Sequence, residues 1–79
     1  MIDKFIQENI ARDIKSFETN DDLYERFKKF CKFYNLKAIS KQKFGIRMTK
    51  ANVGKKHKRM NNYVFEYGRW GVRLLPCKY

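Results

Sequence analysis

The spacing of apolar residues changes from helical to strand-like at Ala51, and this change constrains the order of secondary structure along the chain. Up to Ala51, apolar side chains recur every three or four positions, which is typical of amphipathic helices. Beyond it, a turn signal at 60–62 and the run Tyr63–Phe65, rich in strand formers, favour β-structure. The sequence therefore predicts an α+β domain, with three helices followed by two or three antiparallel strands.

The first two helices are predicted over residues 2–16 and 20–34. In the first, four isoleucines recur at intervals of four positions and would form one apolar face: Ile2, Ile6, Ile10 and Ile14. Thr19 and Asp22 resemble a capping box with Asp in place of Glu, so the second helix is expected to begin beside them. Its apolar face comprises Leu23, Phe27, Phe30, Cys31 and Tyr34. Asn35 is expected to end it in a left-handed conformation.

A third, shorter helix is predicted over residues 40–50, beginning at Ser40. Phe44, Met48 and Ala51 would point inward, which leaves basic and amide side chains and one isoleucine on the opposite face. Such a face suits the DNA major groove, because cations and amides contact phosphates and base edges and an apolar group meets a thymine methyl. The candidate DNA-contacting residues of this helix are Lys41, Gln42, Lys43, Ile46, Arg47, Thr49 and Lys50.

The segment 53–75 is predicted to form a basic β-wing, with a final strand over Trp70–Leu75 and a bend or bulge allowed by Gly68 and Gly71. Four cations lie within five positions, too densely for all of them to read bases, so we assign them mainly to phosphates. These four are Lys55, Lys56, Lys58 and Arg59. Two helices joined by the short connection 35–39 and followed by a basic hairpin indicate a winged helix-turn-helix, here a single domain over residues 1–79.

Charge is strongly segregated along the chain. Seven of the eight acidic residues lie within 1–25, whereas 16 of the 19 Lys and Arg lie from Arg26 onward, so the two parts carry net charges of −4 and +15. A segregated basic region predicts a surface that binds a polyanion. DNA is the expected partner, as duplex, fork or single strand; an anionic membrane surface and an acidic protein are the alternatives.

The residue inventory argues against catalysis. There is no Gly-rich loop ending in Gly-Lys-Ser/Thr, and His57 lies among cations without a carboxylate or thiol neighbour. Cys31 and Cys77 lack metal-ligand spacing, so no catalytic residue, metal or cofactor is expected, and a disulfide between them is left open. The aromatic residues should supply most of the core, although some are suited to stacking on bases. Without an apolar run of about 18 residues or a signal-peptide pattern, the protein is expected to be intracellular and not membrane-bound.

Four ordered motifs spread from Phe5 to Leu74 carry a family resemblance. They are Phe5-Ile6-Gln7-Glu8, the segment 22–31, Ser40-Lys41-Gln42-Lys43-Phe44-Gly45 and Gly71-Val72-Arg73-Leu74. Together they resemble the C-terminal domain of phage and plasmid primase–helicases, whose relatives occur in large DNA viruses including poxviruses. The resemblance implies a winged-helix domain that follows a superfamily 3 helicase motor and helps it engage DNA. The motor domain of an ATP-dependent parent helicase–primase would then be a second partner.

The resemblance also implies roles for particular residues. The start of the recognition-type helix is matched by Lys41, Gln42, Lys43 and Gly45, and the basic wing by Lys55, Lys56, Lys58 and Arg59. The chain departs from the family pattern at Ile46, a position that is often basic in relatives, and in the long segment Tyr63–Trp70. Binding is expected to be mainly electrostatic and weakly sequence-specific. The isolated domain is expected to be monomeric and to lie in the host cytoplasm or at the site of viral or plasmid replication, not to be secreted. A free-standing transcriptional regulator or excisionase and a protein–protein docking module are the alternatives.

Overall fold

A computed structural model of the chain describes residues 2–79, so Met1 of the predicted domain lies outside the described residues. The elements are α1 (Ile2–Asn9), β1 (Ile10–Thr19), α2 (Asn20–Phe33), α3 (Lys41–Lys50), β2 (Lys55–Asn61) and β3 (Val64–Leu74). The three strands form one antiparallel sheet in which β3 is central and β1 and β2 are its edges. The described residues therefore form an α+β fold of three helices and one antiparallel sheet, as predicted at that level.

The predicted first helix over 2–16 is wrong after Asn9, where the chain enters β1. This strand pairs with β3 from Ile10 opposite Leu74 to Thr19 opposite Gly68, with an irregularity between Arg12 and Phe17. This pairing supplies hydrogen-bond partners to backbone N–H and C=O groups along one edge of β3. A helix in this segment would leave those groups without partners. The predicted order of three helices followed by strands is therefore also wrong, because a strand separates α1 from α2.

Local capping signals set the ends of α2 and α3 close to their predicted positions. The Thr19 side chain accepts a hydrogen bond from the Asp22 N–H at 3.0 Å, and the Ser40 hydroxyl accepts one from the Lys43 N–H at 3.3 Å. Asn35 has a φ of 56°, which confirms the left-handed residue expected after α2. Each of these signals lies within a few residues of the terminus that it caps.

β2 and β3 form a hairpin (residues 55–74) joined by the two-residue turn Asn62–Tyr63. Both turn residues have positive φ values, 51° and 66°, as in a type I′ turn. The turn predicted at 60–62 is therefore shifted, and β3 is one continuous strand that includes most of the predicted final strand. The bend or bulge allowed by the glycines coincides with Gly71, which has a φ of 86° and lies opposite the irregularity in β1. Two strands of the sheet come from the predicted wing, and the third is β1.

The core lies between the helices and one face of the sheet. The prediction that Phe27, Phe30, Phe44 and Met48 are buried together is confirmed. Ala51 is exposed instead of inward, because α3 ends at Lys50 and Ala51 forms its C-cap. The other buried apolar residues of this cluster are Phe5, Leu23, Cys31, Val53 and Val72.

The two cysteines are separate. Cys31 is buried as expected, Cys77 is exposed, and both thiols are free, so the disulfide left open by the sequence is not formed. Burial raises the pKa of the Cys31 thiol, which keeps it in its neutral form. Cys31 is thus a small apolar core residue.

Candidate nucleic-acid interface

The outward face of α3 borders an open groove of about 850 Å³. Asn20 and Leu23 of α2 and Lys56 and Arg69 of the sheet line part of it. Lys43 and Arg47 are also exposed on α3 but do not line the groove. The remaining lining residues belong to α3: Lys41, Gln42, Phe44, Gly45, Ile46, Thr49 and Lys50. Five of the seven α3 residues predicted to contact DNA are therefore brought together along one surface.

Arg69 fixes α3 to the sheet, and its role was missed from the sequence. Its side chain is buried, and Nη2 donates to the Gly45 carbonyl at 3.0 Å and to Thr49 Oγ1 at 2.8 Å. Nη1 donates to the Val53 carbonyl at 3.2 Å. All three acceptors are uncharged, and burial lowers the pKa of the guanidinium. The arginine therefore acts as a cationic clamp that sets the distance between α3 and β3.

This clamp changes the interpretation of Thr49. Its hydroxyl accepts from Arg69 and donates to the Gly45 carbonyl at 3.0 Å, so its single proton is already committed within the protein. Gln42, in contrast, lines the groove with an exposed side chain. Thr49 is thus better suited to positioning α3, and Gln42 to contacting a ligand.

The four cations of the predicted wing divide between the two faces of β2. Lys56 lines the groove, and both Lys56 and Lys58 line the neighbouring concavity, whereas Lys55 lines a concavity on the other side with Arg12. Arg59 pairs with Glu66 at 3.1 Å, and its guanidinium carbon lies 4.5 Å from the centre of the Phe17 ring. The alternation follows from the strand period of two. Only Lys56 and Lys58 therefore share a side of the sheet with α3.

Few of the predicted DNA-contacting cations have an acidic neighbour. Within residues 2–79, Lys41 pairs with Asp21 and Arg59 with Glu66. The Arg59 hydrogen bond is the largest cause of the lowered pKa of Glu66, which keeps this carboxylate ionised. No ion pair in the described part of the chain involves the other predicted contact cations, which are Lys43, Arg47, Lys50, Lys55, Lys56 and Lys58. Their positive potential is thus free to act on a ligand.

The hairpin also exposes aromatic side chains whose position was missed from the sequence. Tyr63 is 98% exposed, and Phe65 and Tyr67 are exposed on β3. The sequence identified Tyr63–Phe65 only as strand formers. Their exposure was not readable from the sequence, because it depends on which part of the sheet the helices cover.

Two further features were sought in the described part of the chain, a metal-binding cluster and a membrane-spanning helix. Among residues 2–79, no group of three or more His, Cys, Asp or Glu side chains is arranged to hold a metal ion. None of the helices in that range has both the length and the apolar character needed to cross a bilayer. His57 lies exposed on β2, with Nδ1 3.0 Å from the Lys58 carbonyl oxygen.

Comparisons of the chain with protein-family models, with curated proteins and with solved structures found no match. The resemblance to primase–helicase C-terminal domains therefore stays a prediction drawn from the sequence motifs. The groove, the charges around it and the hairpin are the observations that bear on function.

Proposed function

We propose that this chain is a non-catalytic DNA-binding domain of the winged helix-turn-helix type. The observation that carries the proposal is that α3 and β2 border one groove with unpaired cations on both sides, notably Lys50 and Lys56. Within the described residues, the helix pair α2–α3 and the hairpin beside α3 support the winged-helix assignment. β1 pairs with the edge of β3 that is opposite to β2.

In this proposal, α3 lies in the major groove and the hairpin contacts the flanking phosphates. An α-helix with its side chains is about 10–12 Å across, and the major groove of B-DNA is about 12 Å wide. Lys50, Lys56 and Lys58 neutralise phosphates, while Gln42 and Ile46 face the base edges. Gln42 is the one amide among the α3 side chains that line the groove. Binding is therefore mainly electrostatic and weakly sequence-specific, which suits the appendage of a replicative helicase–primase.

The salt dependence of binding tests this proposal. We expect Lys50→Ala, Lys56→Ala and Lys58→Ala, combined in one variant, to reduce the slope of log K against log salt by about 0.9 for each phosphate that is no longer neutralised. A variant with Lys29→Ala, Lys32→Ala and Lys37→Ala is the matched control, since it removes the same charge from exposed positions that do not line the groove. Fluorescence anisotropy on one duplex, from low to physiological salt, measures both slopes.

The outcomes separate the candidate functions. Equal slopes in the two triple variants would exclude the groove as the DNA-binding surface. A preference above about 10³-fold for one duplex sequence would instead favour a free-standing regulator, because that ratio is typical of specific sites. Binding to a protein without salt dependence would favour a docking module. A Gly-Lys-Thr/Ser motif upstream in the parent reading frame would support the helicase–primase assignment.

A further inference from the structure

The outer half of the hairpin exposes an unusual amount of apolar surface for so basic a domain. Tyr63 is 98% exposed, Val64 63%, and Tyr67 64%, while Met60 and Phe65 are also exposed. Single exposed apolar residues need no explanation, but several on one short hairpin mark an interaction surface. They form the hairpin tip: Met60, Phe65 and Tyr67 lie on one side of the hairpin, Val64 on the other and Tyr63 in the turn.

The backbone of Tyr63 indicates that its ring is kept at a cost in stability. Tyr63 occupies the second turn position with a φ of 66°, a conformation that strongly favours glycine over a bulky aromatic residue. Asn-Gly is the preferred pair for this type of turn, and here Asn62 is followed by tyrosine. The ring is almost fully exposed and so contributes little to packing. A strained residue whose side chain points into solvent suggests a function outside the folded chain.

The strand register places aromatic rings beside cations on one side of the hairpin. Lys58 lies opposite Tyr67, and Met60 lies opposite Phe65. The Lys58 ammonium lies 4.4 Å from the centre of the Phe65 ring. Because positions 56, 58 and 60 alternate to the same side, Lys56 joins this surface to the groove beside α3. On this side of the hairpin, cations and aromatic rings therefore lie next to each other from the groove toward the turn.

The charge of the hairpin selects the class of ligand. Glu66 is the one carboxylate in residues 26–79, and it is paired with Arg59. A ligand for this surface must combine negative charge with flat apolar faces, and a nucleic-acid strand does so at every nucleotide. In a duplex interior the bases already stack on each other. Exposed rings consequently find free base faces all along an unpaired strand, whereas a duplex offers only one at each end.

We propose that the hairpin tip stacks on unpaired bases of a DNA strand next to the duplex held by α3. The inference rests on the proposed DNA-binding function and adds a ligand preference to it: DNA with a single-stranded segment next to a duplex is bound more tightly than blunt duplex. Phe65 and Tyr67 supply ring faces, and Tyr63 extends the surface at the turn.

The test compares three probes by fluorescence anisotropy: a blunt duplex of about 20 base pairs, the same duplex with a tail of about 10 nucleotides, and the tail strand alone. Phe65→Leu combined with Tyr67→Leu keeps apolar bulk but removes the flat rings. We expect this variant to bind the tailed probe about 5- to 150-fold more weakly, the range for loss of base–aromatic stacking, and the blunt duplex almost unchanged. Phe33→Leu is the matched control, because Phe33 is an exposed ring on α2, away from the hairpin.

The Tyr63→Gly variant distinguishes an effect on DNA binding from an effect on stability. We expect it to raise Tm by about 4 °C or more, because glycine relieves the unfavourable φ value, while it weakens binding to the tailed probe. A variant with a destabilised hairpin would show a lower Tm and weaker binding together. A higher Tm with weaker binding would therefore show that the Tyr63 ring is kept for binding. 2-Aminopurine in the tail should lose fluorescence on binding the wild type and less on binding this variant.

Equal affinity of the wild type for blunt and tailed probes would overturn the inference and leave the proposed function standing. Equal binding of the tailed probe by the wild type and the double leucine variant would also overturn it, since flat rings would then be irrelevant. Failure of the wild type to bind any probe would refute both proposals. Capture by phosphatidylserine vesicles, lost in the same variants while DNA binding persists, would assign the hairpin tip to a membrane surface instead.

Discussion

Arg69 is a buried side chain that holds α3 in place and thereby positions the face of α3 that borders the groove. Its guanidinium donates to Gly45 and Thr49 of α3 and to Val53 beyond it, while its backbone belongs to the central strand. From the sequence, an arginine in a basic segment is indistinguishable from the exposed cations around it. Its burial follows from the packing of α3 on this part of β3, a contact between distant segments that no local pattern reveals.

Replacing Arg69 should therefore loosen α3. We expect Arg69→Met to lower the free energy of unfolding by about 1–3 kcal/mol, because it leaves polar groups without their donor. It should also weaken DNA binding. Arg73→Met is the control, since Arg73 on the same strand is half-exposed and its ion pair with Asp13 is long, at 3.6 Å. Urea unfolding measures both variants, and an equal decrease in the two would contradict the role of Arg69 as a clamp.

At the scale of the elements, segments with local signals were predictable and the segment with a distant partner was not. α2 and α3 carry their capping residues beside them, at Thr19, Asn35 and Ser40. β1 pairs with residues more than 45 positions away, and a spacing of four positions returns to the same side in a helix and in a strand alike. Isoleucine spacing therefore did not discriminate between them, and tertiary pairing decided the outcome.

Two glycines provide a matched test of these elements. A Cβ atom on Gly68 would lie 2.1 Å from the Glu18 carbonyl oxygen of β1, whereas one on Gly45 would meet nothing within 4 Å. Gly68→Ala should separate β1 from β3 and lower Tm by at least about 10 °C, because backbone cannot yield cheaply there. Gly45→Ala should stabilise α3 by about 0.5–1 kcal/mol. Thermal denaturation followed by circular dichroism compares them, and a Tm for Gly68→Ala near the wild-type value would refute the pairing of β1 with β3.

At the scale of the whole molecule, a carboxylate from the acidic part of the sequence contacts side chains from the basic part. Glu8 of α1 accepts hydrogen bonds from the Tyr34 hydroxyl at 2.8 and 2.9 Å and from the Tyr79 hydroxyl at 3.1 Å, with Lys78 at 3.4 Å. One carboxylate thus connects α1, the end of α2 and the C-terminal segment. The segregation of charge was readable from the sequence, but this connection was not, because its three parts are distant along the chain.

This connection makes stability depend on pH. The Tyr34 hydrogen bond is the largest cause of the lowered pKa of Glu8, followed by a smaller opposing effect of burial. A carboxyl group whose pKa is lower in the folded state stabilises the fold above its unfolded pKa, about 4.5, and this contribution disappears as pH falls through the folded value. Glu8→Gln should therefore lose less Tm than the wild type when pH is lowered from about 7 to about 3. Asp3→Asn, at an exposed position of the same helix, should retain the wild-type dependence. Thermal melts across this pH range measure these differences. Parallel dependences of Tm on pH for Glu8→Gln and the wild type would mean that the Glu8 carboxylate does not connect the three parts in solution.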